Sequence, residues 1–216
     1  MTTQHYLKPR ISDEKAQKLA GTLLTESDYN LLVTYDADVY CSETKRCIAK
    51  FRKKIIPRNV AIDAYNSLKK AATPTNNRGY STGLDDKGNA TKYDIKKDGT
   101  LSNTNRSENS VNSGIIGYFD RNPRFPYCRQ TAFNEKEFEK FKKAYPIIKF
   151  VDTKYKELMP EHYALQRGLA DSTTQDFVIR DTSFTTVTVN SNWQTAVHTD
   201  KGDYEKGFGN LVALRD

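Results

Sequence analysis

Histidine, cysteine and long apolar runs are scarce in this sequence of 216 residues, and each scarcity narrows the functions open to it. No apolar run approaches the roughly 18 residues that a transmembrane helix needs, and the polar N-terminus lacks a signal-peptide core. The three cysteines, Cys41, Cys47 and Cys128, are an odd number at spacings that match no zinc module. We therefore predict a soluble, intracellular protein with reduced thiols, neither secreted nor bound to a membrane.

The charge balance is the main indication of a partner in the bulk composition. The chain has 34 Lys and Arg residues against 27 Asp and Glu residues, a net charge of +7 and a pI near 9.1. A positive protein attracts polyanions such as nucleic acid, although many soluble proteins are equally basic without such a partner. The low mean hydropathy of -0.76 reflects in large part a long polar insertion.

The length fits one domain with an N-terminal extension, and a change of composition marks the insertion. We assign residues 1–30 to the extension and residues 31–216 to the domain. Between about residues 81 and 113, Gly, Asn, Asp, Ser, Thr and Lys replace apolar residues, which predicts a flexible insertion. Its basic side chains either contact a phosphate backbone or are solvated; they are Lys92, Lys96, Lys97 and Arg106.

Local patterns predict several helices and strands. Ser12 caps a short helix, whereas His5 is expected in a loose leading segment. Residues 31–40 and 47–51 form a hairpin, and Pro57 begins a helix whose apolar residues share one face. Further along we predict a strand at 115–119, a helix capped by Asn134 and ended by Pro146, a second helix, an irregular segment containing His162, and a strand at 177–180.

The stretch from Phe184 to Asp200 contains the residues with the most specific chemistry. Its β-branched first half predicts a strand, Asn190-Ser191-Asn192 predicts a turn, and a second short strand follows. Side chains alternate along a strand, so His198 and Asp200 are expected on the same face. An imidazole and a carboxylate at this spacing suit two of the three protein ligands of a 2-His-1-carboxylate Fe(II) site. The same pair also occurs at strand ends without any metal.

The residues around this pair form a longer motif. Thr-Val-Asn-x-Asn-x-x-Thr-Ala-x-His-x-Asp-x-Gly-Asp, followed by Gly-Phe-Gly-Asn-Leu, closely resembles the dioxygenase domain shared by the TET 5-methylcytosine oxidases and the trypanosome base-J thymine hydroxylases, particularly algal and viral members. The similarity runs from about residue 45 to residue 216, with the motifs in the family's order. Further matching motifs are Phe51-Arg52-Lys53, Ile55-Ile56-Pro57, Asn77-Arg78-Gly79, Gly117-Tyr118-Phe119-Asp120-Arg121 and Tyr127-Cys128-Arg129-Gln130-Thr131-Ala132-Phe133.

The resemblance implies an α+β fold with a double-stranded β-helix, a cupin-like jelly roll, preceded by N-terminal strands and supporting helices. It implies Fe(II) held by His198, Asp200 and a distal histidine, with 2-oxoglutarate near Thr188 and Asn190; ascorbate remains open as a co-substrate. The implied reaction is oxidation of the 5-methyl group of 5-methylcytosine or thymine on a base flipped out of DNA. The residues implied to contact the substrate are Arg78, Arg129, Thr131, Asn192 and Asp203.

One departure from the family concerns the end of the sequence. The family supplies its distal histidine and an arginine for 2-oxoglutarate beyond the position of Asp216, and neither His5 nor His162 matches that histidine in order. We therefore expect an N-terminal fragment of a longer enzyme, with an incomplete barrel and no activity by itself. Two alternatives stay open: a catalytically silent DNA-binding remnant, and a protein side-chain hydroxylase on the same fold. We expect no obligate protein partner, and a location in the nucleus, or in host cytoplasm for a viral protein.

Overall fold

The computed structural model describes residues 1–85, 88–90, 92–95, 97, 99, 101–106, 109–121, 125–200 and 203–214. Contacts divide the chain into two compact units. The first contains Met1–Ile55, Asn76–Ser110 and Gln194–Thr199, and the second contains Ile56–Thr75, Val111–Trp193 and Asp200–Asp216. The side chains of Lys92, Lys96 and Arg106, for which phosphate contacts were considered, lie outside the described residues.

Helices and strands alternate in no simple repeat along the described residues. The helices are α1 Asp13–Lys18, α2 Arg58–Leu68, α3 Ala132–Lys136, α4 Phe138–Lys143, α5 Tyr145–Leu158 and α6 Pro160–Ser172. The strands are β1 Thr3–Leu7, β2 Ala37–Cys41, β3 Cys47–Phe51, β4 Thr73–Thr75, β5 Lys92–Ile95, β6 Leu101–Arg106, β7 Val111–Phe119, β8 Arg129–Gln130 and β9 Thr186–Ser191. Short 3₁₀ turns occupy Glu26–Asp28, Gly79–Thr82 and Gln175–Phe177.

The first unit is built on a three-stranded sheet in the order β1-β2-β3. β2 and β3 pair antiparallel and confirm the predicted hairpin, although β2 begins only at Ala37. β1 pairs parallel to β2, so the expectation of a loose segment around His5 is wrong. Tyr6 stacks on Tyr40 across these two strands, with ring centroids 5.4 Å apart. A second, two-stranded sheet of β5 and β6 belongs to the same unit.

The second unit is organised around β7, which pairs with β4, β8 and β9. Two glycines allow other backbone segments to approach this strand closely. A Cβ atom at Gly114 would collide with the carbonyl oxygen of Ala71, and one at Gly117 would collide with that of Thr185. Gly117 also has a positive φ of 93°, a conformation that glycine adopts without strain. The strand therefore depends on glycine at these two positions.

The helices of the second unit cover one side of this sheet with apolar residues. Ile116 of β7 and Phe141 of α4 are fully buried, and Ile179 is 1% exposed. The ring of Tyr118 meets that of Phe141 edge to face at 5.8 Å, a favourable arrangement for aromatic pairs. The remaining members of this core are Ala64, Leu68, Ala71, Ala144, Ile147 and Ile148.

A buried carboxylate fixes the chain shortly before β9. Asp152 of α5 is 2% exposed. Its Oδ1 accepts hydrogen bonds from the backbone N–H of Ser183 at 2.8 Å and from the Ser183 hydroxyl at 3.0 Å. The Tyr163 hydroxyl of α6 donates to its other oxygen at 3.3 Å. Because a buried carboxylate is costly without such donors, this network holds residue 183 against the two helices.

Several local predictions are confirmed and others are wrong. Ser12 caps α1, and α2 begins directly after Pro57. Thr131 rather than Asn134 caps the helix that follows β8, and Pro146 lies in the first turn of α5 instead of ending a helix. The region around His162 is helical in α6, and the predicted strand at 177–180 is replaced by a 3₁₀ turn and bends.

The mixture of helices and sheets agrees with the predicted α+β class. Within the described residues the sheets remain separate and open, so they form no closed barrel, and the double-stranded β-helix is not seen there as such. No helix in this part of the chain has the length and apolar character needed to cross a membrane.

The close approach at Gly114 predicts an effect on stability. Gly114→Ala should lower the free energy of unfolding by about 1–3 kcal/mol, because the new methyl group overpacks against the Ala71 carbonyl. Gly168→Ala is the control: this glycine lies in α6 with open space around its Cβ position, and alanine favours a helix by about 1 kcal/mol. Urea denaturation measures both. Equal stability of the two variants would contradict the close approach.

Candidate metal centre and its surroundings

The segment that carries the predicted histidine ligand is not a strand. Residues 192–200 have no regular secondary structure, so the predicted second strand is wrong and its alternation does not orient His198 and Asp200. Hydrogen bonds to other parts of the first unit hold the segment instead. The N–H of Val197 donates to the Thr22 carbonyl at 3.0 Å, and the Gly21 N–H donates to the Val197 carbonyl at 2.7 Å.

His198 is partly buried, and its ring is oriented by its own backbone neighbourhood. Nδ1 lies 2.7 Å from the carbonyl oxygen of Ala196. A carbonyl can only accept a hydrogen bond, so Nδ1 carries the hydrogen and the neutral ring has its lone pair on Nε2. Metal-ligating histidines commonly donate their second nitrogen to a carbonyl or carboxylate in this way. The arrangement suits binding of a metal through Nε2.

Asp200 and Asp203 lie at the start of the last segment of the second unit. Although Asp203 is exposed at the surface, the protein around its carboxyl group desolvates it and raises its pKa, and the negative charge of Asp200 raises it further. Both effects disfavour the ionised form of Asp203. The two carboxylates therefore form a site with an unfavourable concentration of negative charge. A cation near Asp200 would offset the effect of the Asp200 charge on the pKa of Asp203.

Thr188 and Asn190, the residues predicted to bind the co-substrate, lie on the same face of β9. Thr186, Thr188 and Asn190 are exposed, whereas Val187 and Val189 between them pack toward the core. The Ser113 hydroxyl of the neighbouring β7 donates to the amide oxygen of Asn190 at 2.6 Å. This bond orients the Asn190 amide group so that its NH₂ is available as a donor on the exposed face.

Asn192 follows β9 in a left-handed conformation, with a φ of 58°. Asparagine tolerates this conformation better than most residues. The next residue, Trp193, donates its indole N–H to the Asn112 carbonyl at 3.0 Å. Asn192 is exposed and lies in a bend directly after β9, whereas Asn190 and Ser191, predicted as part of the same turn, belong to the strand.

Arg129 is held between two aromatic rings. Its guanidinium carbon lies 4.5 Å from the ring centroid of Phe119 and 4.2 Å from that of Phe125, distances typical of cation–π contacts. Nη1 of the same group is buried and has no hydrogen-bond acceptor among the described residues. Leaving a buried N–H unpaired costs free energy, so this group is suited to a partner that the chain does not supply.

Thr131 has a different environment from that expected. It is 1% exposed, and its hydroxyl accepts the Asn134 N–H at 3.3 Å as the cap of α3. Its own N–H donates to the Gly117 carbonyl at 3.1 Å. These bonds support a structural role for Thr131 in joining α3 to β7; a direct contact with substrate stays a prediction.

Arg78, in the first unit, begins the 3₁₀ turn Gly79–Thr82. Its carbonyl accepts the N–H of Ser81 at 3.2 Å and the Ser81 hydroxyl at 2.7 Å. Ser81 in turn accepts the Ala196 N–H through its carbonyl at 2.9 Å. The predicted Asn-Arg-Gly turn is thus linked by hydrogen bonds to the segment that carries His198, and the Arg78 side chain is partly buried.

The donor chemistry fits two positions of an iron site. His198 offers an imidazole with the required tautomer, and Asp200 follows two residues later with a carboxylate. Among the described residues no three His, Cys, Asp or Glu side chains converge in a group that could hold a metal. His5 contacts the Tyr35 hydroxyl at 3.1 Å, and His162 contacts the Lys206 carbonyl at 2.9 Å.

A pocket of about 420 Å³ also lies in the second unit, between the start of α5 and the loop after the last 3₁₀ turn. None of the predicted site residues lines it. Its side chains include Tyr145, Lys149 and Arg180, and Lys149 donates to the Asp181 carbonyl at 2.7 Å. The predicted site is therefore distinct from this concave surface.

Sequence reasoning missed the residues that hold the histidine segment. Gly21, Thr22 and Ser81 contact residues 196–197 through backbone atoms, and Gln194 reaches the Leu24 carbonyl with its side-chain amide at 2.6 Å. These partners are more than a hundred residues apart in sequence. Backbone N–H and C=O groups are the same in almost every residue type, so the sequence does not indicate which of them will pair. The glycine at position 21 was a signal in the sequence, because glycine is common where the backbone needs a positive φ, here 84°.

The raised pKa of Asp203 predicts a measurable coupling to Asp200. In the metal-free protein, Asp200→Asn should lower the pKa of Asp203 because one negative neighbour is removed, while desolvation keeps that pKa above its ordinary value. Carboxyl ¹³C NMR during a pH titration measures the change. Asp176→Asn, a carboxylate that does not contribute to the shift, serves as the control. An unchanged pKa of Asp203 in the Asp200 variant would contradict the coupling.

Known proteins resemble the part of the chain that contains the site. Residues 114–216 match the model of the Tet/JBP family, described as the oxygenase domain of the 2OGFeDO superfamily. The bifunctional helicase and thymine dioxygenase JBP2 of Leishmania braziliensis is 41% identical over 104 residues, which are 47% of this chain and 9% of that protein. The thymine dioxygenase JBP1 of Trypanosoma brucei brucei is 38% identical over 109 residues, 49% of this chain and 12% of that protein.

The similarity to a third relative covers more residues of the chain. The bifunctional helicase and thymine dioxygenase JBP2 of Trypanosoma brucei brucei is 35% identical over 133 residues, 60% of this chain and 12% of that protein. The chain thus spans 9 to 12% of the length of these curated relatives, and no solved structure matches it. The family match over residues 114–216 includes most of β7, all of β9, His198 and Asp200, so this part of the chain is similar to the oxygenase domains of the 2OGFeDO superfamily.

Proposed function

We propose that this chain is part of an Fe(II)- and 2-oxoglutarate-dependent dioxygenase that oxidises the 5-methyl group of a pyrimidine in DNA. The observation that supports the proposal is the His198 ring, whose Nδ1–H donates to the Ala196 carbonyl, so that Nε2 would be the nitrogen that binds the metal, within a segment that matches an oxygenase family. The relatives are named thymine dioxygenases, which favours thymine over 5-methylcytosine as the base. The jelly-roll architecture of the resembled family is part of the same proposal.

His198 and Asp200 would hold the iron, one through imidazole and one through carboxylate. Fe(II), 2-oxoglutarate and dioxygen would together supply an oxidant for C–H bonds that no protein side chain provides. The chain's own contribution is to orient the two ligands. The Ala196 carbonyl oxygen, 2.7 Å from Nδ1, fixes the tautomer of His198. The negative charge of Asp200 would attract the cation. Because Asp203 adds negative charge nearby, the cation is also favoured over an empty site.

We assign the co-substrate to the exposed face of β9. The hydroxyl of Thr188 and the NH₂ of Asn190 are donors on the same face, and the co-substrate 2-oxoglutarate carries two carboxylates that accept such bonds. Ser113 holds the Asn190 amide in orientation. Ascorbate, which also presents oxygen atoms to donors, is the alternative co-substrate on these groups.

The DNA substrate is proposed from charge and from individual side chains. The net charge of +7 favours a polyanion. Arg129 offers a rigid guanidinium with a buried, unpartnered N–H, which suits a phosphate or a base edge. Asn192 offers both a donor and an acceptor to a pyrimidine edge, Asp203 offers an acceptor, and Arg78 is a candidate phosphate contact. The base would leave the duplex stack to reach these groups.

The central prediction concerns His198. In the longer enzyme of which we propose this chain is a part, His198→Ala should abolish both Fe(II)-dependent release of succinate from 2-oxoglutarate and oxidation of thymine in duplex DNA, because the imidazole ligand is lost. Mass spectrometry of hydrolysed DNA detects 5-hydroxymethyluracil from thymine and 5-hydroxymethylcytosine from 5-methylcytosine. Peptide substrates in parallel assays test for a protein side-chain hydroxylase.

His5→Gln is the matched control, because this histidine packs against Tyr35 in the first sheet. It should keep turnover at the level of the unmodified protein. Salt-dependent DNA binding without succinate release, unchanged by His198→Ala, would instead identify a DNA-binding protein without oxygenase activity. Oxidation of peptides but not of DNA would transfer the proposal to the hydroxylase class.

Arg129 generates a separate prediction about DNA binding. Arg129→Ala should weaken binding and reduce the slope of log K against log salt concentration by about 1, as expected for the loss of one phosphate contact. Arg129→Lys should keep the slope and still weaken binding, because lysine cannot stack between Phe119 and Phe125 as a planar group. Fluorescence anisotropy at several salt concentrations measures both.

Arg121→Ala provides the comparison for Arg129. Its side chain is 61% exposed and lies 3.8 Å from Asp120 in a surface ion pair, so its removal should have little effect on either quantity. Thermal unfolding confirms that each variant is folded. An affinity and slope of Arg129→Ala equal to those of the unmodified protein would exclude Arg129 from the DNA contact.

A further inference from the structure

We propose that residues 21–24, in the N-terminal extension, position the imidazole of His198 for metal binding. Nothing in the family match covers these residues, because that match begins at residue 114. The inference rests on the proposed function of His198 as an iron ligand. It assigns a role to the first unit, in which the extension, the 3₁₀ turn Gly79–Thr82 and residues 194–199 lie together.

The first step is the pair of hydrogen bonds that Val197 makes with residues 21 and 22, called the bracket below. Its N–H donates to Thr22 at 3.0 Å, and its carbonyl accepts the Gly21 N–H at 2.7 Å. Two bonds in opposite directions at a single residue fix the peptide groups on both sides of it. Because Val197 directly precedes His198, the backbone from which the imidazole extends is fixed by residues 21–22.

The second step is the Ala196 carbonyl, the acceptor for His198 Nδ1. Ala196 is 2% exposed, and its N–H donates to Ser81 at 2.9 Å. With the bracket at Val197 on one side and the bond to Ser81 on the other, the peptide that carries this carbonyl has little freedom to rotate. A fixed acceptor 2.7 Å from Nδ1 selects the tautomer with the hydrogen on Nδ1.

Gly21 is the residue on which the bracket depends most. Its φ of 84° lies in the left-handed region, and a Cβ atom there would collide with the Leu84 side chain. Alanine would therefore move the backbone that donates to Val197. Gln194 supports the other end of the same segment, because its side-chain amide donates to the Leu24 carbonyl at 2.6 Å. Gly21 therefore holds the histidine segment at Val197, and Gln194 holds it at its start. Neither residue is a proposed metal ligand.

The test compares Gly21→Ala and Gln194→Ala with Gly99→Ala. Gly99 has a similar φ of 79° but open space at its Cβ position, so it matches the backbone strain of Gly21 without a contact to the segment. The first readout is the ¹⁵N shifts of the His198 ring in metal-free protein at a pH where imidazole is neutral. They should show the Nδ1–H tautomer in the unmodified protein and in Gly99→Ala, and a mixture of tautomers in the other two variants.

The second readout is affinity for Mn²⁺, a redox-stable substitute for Fe(II), measured by water proton relaxation. Gly21→Ala should weaken binding about 10-fold, the size of effect that loss of an orienting partner produces. Gln194→Ala should weaken it about threefold, as expected for one hydrogen bond. Amide NMR spectra at the same temperature establish that the variants are folded, which separates positioning from loss of stability.

Each outcome decides between explanations. Unchanged tautomer and Mn²⁺ affinity in both variants would overturn the positioning role and leave the proposed function intact, provided that His198→Ala abolishes Mn²⁺ binding. Equal Mn²⁺ binding by His198→Ala and the unmodified protein would remove the proposed function and this inference with it. If Gly21→Ala does not fold, Gln194→Ala, an exposed side-chain change, decides the question alone.

Discussion

The hydrogen bond from His198 Nδ1 to the Ala196 carbonyl is the interaction on which the candidate site depends. It determines which ring nitrogen can bind a metal, and it does so only because the carbonyl itself is fixed. That fixation comes from Ser81 on one side and from Gly21 and Thr22 on the other. A histidine on an unsupported loop would sample both tautomers and several ring orientations, and metal binding would then carry the cost of ordering it.

In the second unit, β7 has a comparable role for the remaining site residues. Its glycines admit the Ala71 and Thr185 carbonyls, which brings flanking backbone segments against the strand. β9 pairs along six residues of it, and this register presents Thr188 and Asn190 on an exposed face. The opposite face of β9 packs its valines toward the core. The position of the two proposed co-substrate donors therefore follows from the packing of the sheet and requires no flexible loop.

Sequence reasoning succeeded where the signal was local. Ser12 at the start of α1 and Pro57 before α2 were predicted because capping and the fixed φ of proline act within a few residues. It failed where a residue had two possible local roles: Thr131 and Asn134 are both good caps, and Pro146 is acceptable in a first turn. For the site, the motif indicated His198 and Asp200, but the absence of a strand at 194–200 results from contacts with residues 21–24 and 81, which no local pattern contains.

The family boundary and the physical boundary of the site do not coincide. The family match starts at residue 114, whereas the segment 194–199 is held by the first unit, whose other residues all precede 111. Ala196 is buried and uses its N–H on Ser81, so the matched segment alone would leave backbone groups of residues 196–197 without these partners. On the proposed function, the matched motif would supply the atoms that bind the metal, while residues outside the match hold the backbone from which His198 extends. The proposed ligands therefore belong to the motif, and their preorganisation depends on residues that precede it.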